Sequence, residues 1–197
     1  MKKGLIIAGL LIGIAGLFAL WGVGAYNGLV QADESVSKAW AQVENVYQRR
    51  VDLIPNLVET VKGYAKHESQ TFIEVTEARN QAAKINVTKD MINSPEDFSK
   101  FQHAQDALSS ALSRLMVVVE KYPDLKANQN FLNLQDELAG TENRISVERG
   151  RFNEASMAYN MQVRQFPANF IASMCNFHSK EYFKAATGAA EAPKVQF

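Results

Sequence analysis

Residues 4–32 read GLIIAGLLIGIAGLFALWGVGAYNGLVQA, and none of them carries a charge. About 20 consecutive apolar residues span the hydrocarbon core of a bilayer as a helix, and the run from Leu5 to Tyr26 meets that length. From Asp33 onward, apolar residues recur at helical spacing among polar ones, the pattern of helices with one buried face. The sequence therefore divides into a transmembrane anchor over 1–27, a helical body over 28–184 and a small-residue, proline-containing tail over 185–197 that is expected to be unstructured.

Lys2 and Lys3 precede the apolar run, and Asp33 and Glu34 follow it. Basic residues beside a first membrane helix hold that end in the cytoplasm. The expectation is a single pass through a membrane, with a short cytoplasmic N-terminus and the body on the far side, in the periplasm or at the cell exterior. Trp21 and Tyr26 stand near the outer end, where amphipathic rings favour the headgroup layer. A cleaved signal peptide is the alternative, with a small-residue site at Val23-Gly24-Ala25. Signal-peptide apolar regions run about 7–15 residues, shorter than this one, so a retained anchor is expected. Within the run, Gly9 and Gly13 form a small-xxx-small pair and Gly16 lies on nearly the same face. Such a groove lets membrane helices approach closely, which makes these three glycines candidates for oligomer contacts.

The chain has 21 basic and 21 acidic residues; without Lys2 and Lys3 the balance is 19 to 21, and no basic field exists to attract nucleic acid. Cys175 is the single cysteine, so no intrachain disulfide forms and packing must hold the body together. Its apolar neighbours predict a buried, inert thiol.

In the body, Val36, Trp40, Val43, Tyr47, Ile54, Val61, Phe72, Val75 and Ala82 fall on one helical face. In heptads, Trp40, Tyr47, Ile54, Val61, Val75 and Ala82 share a position, with Glu68 the polar exception. The spacing predicts one long helix over 28–85, kinked at Pro55. Residues 86–94 read as a turn, with Asn86-Val87-Thr88 as turn chemistry rather than a glycosylation site. Ser94-Pro95-Glu96-Asp97 is a helix start: serine cap, proline in first position, acids in the first turn. The second helix carries Phe98, Phe101, Leu108, Leu112, Leu115 and Val119; the all-apolar run Leu115 to Val119 must be covered on more than one side, within the bundle or by a second subunit. After Tyr122-Pro123, a third helix is expected from Leu125 to Phe166, with Phe131, Leu134, Leu138, Ile145, Phe152, Tyr159, Val163 and Phe166 as its stripe. A last short helix is expected over 168–184, carrying Phe170, Ile171, Met174, Phe177, Tyr182 and Phe183 as its apolar residues. The fold class is all-α: a membrane helix followed by an elongated antiparallel bundle of three long helices and a short one, held by coiled-coil-like heptads.

No motif for zinc, di-iron, phosphate or nucleophilic chemistry stands in the sequence, and His67, His103 and His178 have no metal-ligand spacing. No enzyme activity, cofactor or metal is expected. The charged residues that stand out are Arg49, Arg50 and Asp52 beside Pro55, and Glu142 and Arg149 within the apolar stripe of the third helix. If those helices are antiparallel neighbours, Arg50 meets Glu142 and Arg149 faces an acid such as Glu44, a network that fixes register.

These residues together resemble the LemA family. The resemblance rests on Tyr26-Asn27-x-Leu29-Val30, Ala39-Trp40, Tyr47-x-Arg49-Arg50, the block from Asp52 to Val58 around Pro55, Gly63-Tyr64-Ala65 and His67-Glu68. It continues through Tyr122-Pro123, Glu142-Asn143-Arg144-Ile145, Arg149, Tyr159-Asn160 and Phe166-Pro167. Asn176-Phe177 stands where the family has Gly-Phe. The resemblance implies a bacterial protein with an N-terminal membrane helix, a body of long antiparallel helices and no established enzymatic activity. The family includes a relative acting on magnetosome membranes, so a role in shaping or organising membrane is expected by analogy. The partners expected are membrane lipids, further copies of the chain and an unidentified envelope protein. A tethered binding or signalling module is the alternative.

Overall fold

The computed structural model describes residues 2–85 and 88–184, and every element among them is helical. Asn86 and Val87 of the sequon, and the tail over 185–197, lie outside the described residues.

Helix α1 runs from Lys2 to Tyr64. At about 1.5 Å per residue its 63 residues make a rod roughly 95 Å long, and no joint separates the apolar segment from the body. The helix continues through Pro55. Proline lacks the N–H that would bond the carbonyl four residues back. That carbonyl belongs to Val51, and Arg79 Nε donates to it from the next helix at 3.4 Å.

The expected continuation of this helix to residue 85 is not found. The chain turns over 65–68, and α2 (Ser69–Lys84) doubles back along α1. Glu68, the polar exception in the heptads, lies in the turn. All nine apolar residues of the predicted face are buried, Phe72, Val75 and Ala82 on α2 among them. A straight rod would leave these three in water; folding back seats them against α1 and α3. Periodicity does not report the turn because both arms keep the same phase.

The segment read as a plain turn contains a 3-10 helix, Lys89–Asn93, which buries Met91 and Ile92. Helix α3 (Pro95–Val119) starts as its sequence dictates, with Ser94 Oγ accepting from Asp97 N–H at 3.3 Å. The third long helix begins later than Leu125. Helix α4 (Pro123–Lys126) is a single turn, and Asn128 then caps α5 (Gln129–Arg164) by accepting from Phe131 N–H at 3.0 Å. Helix α6 spans only Ala168–Met174. Asn176 closes it with φ 63°, and the bonds Phe177 N–H to Ala172 O (2.9 Å) and Asn176 N–H to Ser173 O (3.5 Å) form a Schellman motif. Asparagine tolerates the left-handed conformation that glycine would adopt there.

Helices α1 and α5 lie antiparallel, and the α2–α3 hairpin covers the end of this pair farther from the apolar segment. Two cores result. The distal one joins Val51, Ile54 and Val61 to α2, Leu108 to Val119 of α3, Leu125 and Phe131. The proximal one is aromatic: Trp40, Phe98, Phe101, Phe152 and Phe183, with Trp40 ring centroids 5.2–6.1 Å from the other four.

Phe183 reaches this core on a strap, residues 175–184, where a helix was expected. Its backbone is held by two asparagines seven residues apart on α5. Asn160 Nδ2 donates to Lys180 O (2.9 Å) while its Oδ1 accepts from Lys180 N–H (2.7 Å). Asn153 does the same for Phe183, at 3.0 and 2.9 Å. Each amide supplies the donor and acceptor that an extended backbone needs. The buried Lys180 ammonium pairs with Asp33 at 2.7 Å, donates to Asn93 Oδ1 at 2.8 Å and lies 4.9 Å from the Tyr159 ring centroid.

Burial, with a smaller push from Asp33, raises the Tyr159 phenol to about 12. Its folded pKa thus exceeds the unfolded value of about 10, so its stabilising contribution is complete below pH ~10 and fades as pH climbs towards ~12. The expected loss is about 2–3 kcal/mol at about 1.4 kcal/mol per pH unit. Chemical denaturation between about pH 9 and 11.5 should show it, with the Tyr159→Phe variant losing correspondingly less. Equal slopes for the two proteins would refute the assignment.

Candidate functional site

Along residues 6–23 of α1 the large aliphatic side chains and Phe18 are exposed, from Ile6 at 67% to Val23 at 61%, and Trp21 is half-buried. No window of this segment is buried inside the fold, and its length and mean hydropathy of 1.8 suit a membrane crossing. A Cβ built on Gly9, Gly13 or Gly16 meets none of the described residues within 4 Å, so among them the glycine face is uncovered. The opposite side of α1 faces α6, where Ile171 Cδ1 comes within 3.7 Å of a Cβ built on Gly22. An apolar groove of ≈ 880 Å³ opens between the two helices.

The second feature is the charged joint between the two cores. Arg50 is 2% exposed, placed between Tyr47 of the aromatic core and Val51 of the aliphatic one. Its Nε lies 2.9 Å from Glu142 Oε1 on α5, and its Nη2 donates to Ser109 Oγ on α3 at 2.6 Å. One guanidinium thus ties three helices. Burial pulls Arg50 below its ordinary pKa, and the Glu142 carboxylate pulls it back up. Burial likewise raises the Tyr47 phenol, against the lowering pull of Arg149 and Arg50.

The neighbouring charges are peripheral. Arg49 approaches Glu137 at 3.8 Å with both side chains half exposed, a contact worth about 0–1 kcal/mol. Asp52 accepts from Gln48 Nε2 at 2.8 Å within α1. Arg149 does not face Glu44: its guanidinium lies 4.6 Å over the Phe183 ring and donates to Lys184 O at 2.8 Å. The strap, absent from the expected helical packing, takes the side of Arg149 that an acid was to occupy.

Among the described residues, no group of three or more His, Cys, Asp or Glu is placed to hold a metal. His67, His103 and His178 are exposed on separate elements. Cys175 is exposed rather than buried, because α6 projects from the body instead of packing into it. The run Leu115 to Val119 is covered within the bundle except for Val117, which is 65% exposed.

The sequence profile of the LemA family matches residues 39–197. The chain belongs to the LemA family. Its relatives include the magnetosome proteins MamQ 2 and MamQ 1 of Paramagnetospirillum magneticum, each 26% identical over 175 residues covering 81% of this chain. The chain spans 64% of the length of those relatives. Protein LemA of Metamycoplasma hominis is 23% identical over 171 residues, covering 87% of this chain and 74% of its own.

Residues that carry the LemA resemblance take definite posts here. Arg50 ties the helices, Pro55 frees the carbonyl that Arg79 bonds, and Asn160 grips the strap. Sequence reasoning missed Asn153 and Asn160 as a pair. Their signal was two asparagines at heptad spacing, each directly after an apolar stripe residue, Phe152 and Tyr159.

Proposed function

We propose that this LemA-family protein is a non-enzymatic membrane organiser. The anchor over 1–27 crosses the bacterial inner membrane once, with the N-terminus cytoplasmic and the body periplasmic or extracellular. Protomers associate through the Gly9, Gly13 and Gly16 face, and the assembly organises or remodels the membrane. The observation that carries this is the unbroken helix α1. With no joint between apolar segment and body, packing between anchors fixes how the bodies are arranged outside the bilayer. The similarity to magnetosome proteins supports a membrane setting.

The glycines give a clean test. A Cβ at Gly9 or Gly13 meets no described residue within 4 Å, so Gly9→Leu with Gly13→Leu is expected to leave the protomer intact and to alter contacts between molecules. The full-length protein in detergent or lipid nanodiscs is expected to run as a defined oligomer, and the double variant as a smaller species. A wild-type monomer, or an unchanged double variant, sinks the proposal.

A second reading is a tethered module that binds an envelope protein. It draws on a cleft of ≈ 370 Å³ lined by Glu44, Gln48, Lys84 and Gln105, between α1, α2 and α3. A monomer whose capture of one partner is abolished by Glu44→Lys would favour this reading over the first.

A further inference from the structure

Three residues that the sequence pattern marks as apolar-stripe positions are not in the core. Phe166, Phe170 and Met174 are 75%, 64% and 77% exposed; Phe170 and Met174 stand four apart on α6, and the Phe166 ring, in the turn before it, lies 6.0 Å from that of Phe170. They lie in a run without charge from Gln165 to Phe177, bounded by Arg164 and His178, in a body otherwise dense in charge.

The position of α6 along α1 is informative. Ile171 meets Gly22, the Phe177 ring stands 5.8 Å from Tyr26, and Phe170 and Met174 form the far wall of the groove that begins at Leu11. Gly22 precedes the first charge after the apolar run, Asp33, by eleven residues, about 16 Å along the helix. If the hydrocarbon core is centred on the uncharged run, about 20 residues from near 8 to near 28 lie within it; if it starts at Gly4, it ends near Val23. In both placements α6 sits in the outer hydrocarbon or at its edge.

The backbone bonds at the two ends of α6 suit that surrounding. Lipid supplies no hydrogen bonds, so each polar backbone group must be satisfied internally. Gln165 N–H bonds Met161 O, Asn169 N–H bonds Gln165 O, Cys175 N–H bonds Ile171 O, and the Schellman bonds close the end. Exposed Asn169, Ser173 and Asn176 place polar groups for the glycerol and headgroup level.

We propose that α6 is a second membrane contact: a wedge inserted into the leaflet on the body side, with Phe166, Phe170 and Met174 against lipid acyl chains. The occupant is lipid rather than a second protomer because the face is continuous with the lipid-facing surface of the anchor. The glycine stripe lies roughly 150° around α1 from the α6 groove at about 100° per residue, so protomer contacts and the wedge occupy different sides. The protein then has a larger cross-section in one leaflet than in the other, an asymmetry that favours curvature. The inference rests on α1 being embedded.

The test uses the full-length chain with Cys175→Ser and single nitroxide labels introduced by Leu17→Cys, Met157→Cys, Phe170→Cys or Met174→Cys, reconstituted in phosphatidylcholine vesicles. Collisions with oxygen, which partitions into lipid, are compared with those of a water-soluble nickel chelate. Positions 170 and 174 are expected to match position 17, with an oxygen preference several-fold above that of position 157 on the exposed face of α5. A nickel-accessible signal at 170 and 174 with lipid-like behaviour at 17 overturns the wedge alone. Nickel access at 17 as well overturns the anchor reading beneath it. Immobilised labels at 170 with strong spin–spin broadening assign the face to a second copy, which also overturns the wedge.

Discussion

Trp40→Ala is expected to destabilise the body by about 3–5 kcal/mol, a large part of the stability of an ordinary domain. The indole is 2% exposed and touches the rings of four phenylalanines brought from α3, α5 and the strap. Removing it opens a cavity that rigid helices cannot close, and it frees Phe183, whose ring stacks at an interplanar angle of 21°. The effect therefore exceeds the transfer energy of one side chain. Trp40→Phe is the matched control. Its loss should stay under about 1.5 kcal/mol, since a ring is kept and the indole N–H has no hydrogen-bond partner among the described residues. Denaturant unfolding of the full-length protein followed by circular dichroism measures both, and limited proteolysis reads the strap. A Trp40→Ala protein as stable as wild type, with its strap protected, would falsify this account of the proximal core.

The second large effect is at the charged joint. Glu142→Ala leaves the Arg50 guanidinium buried, with Ser109 Oγ at 2.6 Å as its remaining side-chain hydrogen-bond partner among the described residues. Breaking a buried pair costs about 3–5 kcal/mol; because the Glu142 side chain is 43% exposed and water reaches its side, about 2–4 kcal/mol is expected here. The double variant Arg50→Met with Glu142→Leu should recover to within about 1 kcal/mol of wild type, since two apolar residues replace both charges. The same unfolding measurement gives the coupling energy. Additive single losses would mean that the two residues act separately. Arg50→Leu alone is expected to keep helicity near normal while loosening the fit of α1 to α3 and α5.

How far the site was legible follows from these residues. The pairing of Arg50 with Glu142 could be anticipated because Glu142 is a charge on the apolar stripe of the third helix and Arg50 belongs to the charged cluster beside Pro55 on the first, and opposite charges on antiparallel neighbours gain by meeting. The place of Arg149 could not, because its partner is an extended strap whose hydrogen bonds come from asparagine side chains, and such bonding leaves no period in the sequence. The exposure of Cys175 escaped for a related reason. Phe170, Ile171 and Met174 read as core, and only their placement beside Gly22 and Tyr26 makes them a surface.

The amino-acid pattern sufficed for the all-α class, the apolar segment, the buried faces and the helix start at Ser94, because each of these is local: hydropathy, period and capping act within a few residues. The turn at 65–68, the strap and the outward position of α6 depend on three-dimensional packing. A face with an unchanged period can run straight or fold back, and an apolar residue can serve a core or a membrane. The choice between them is made by which partner surface is within reach, and that is a property of the folded chain.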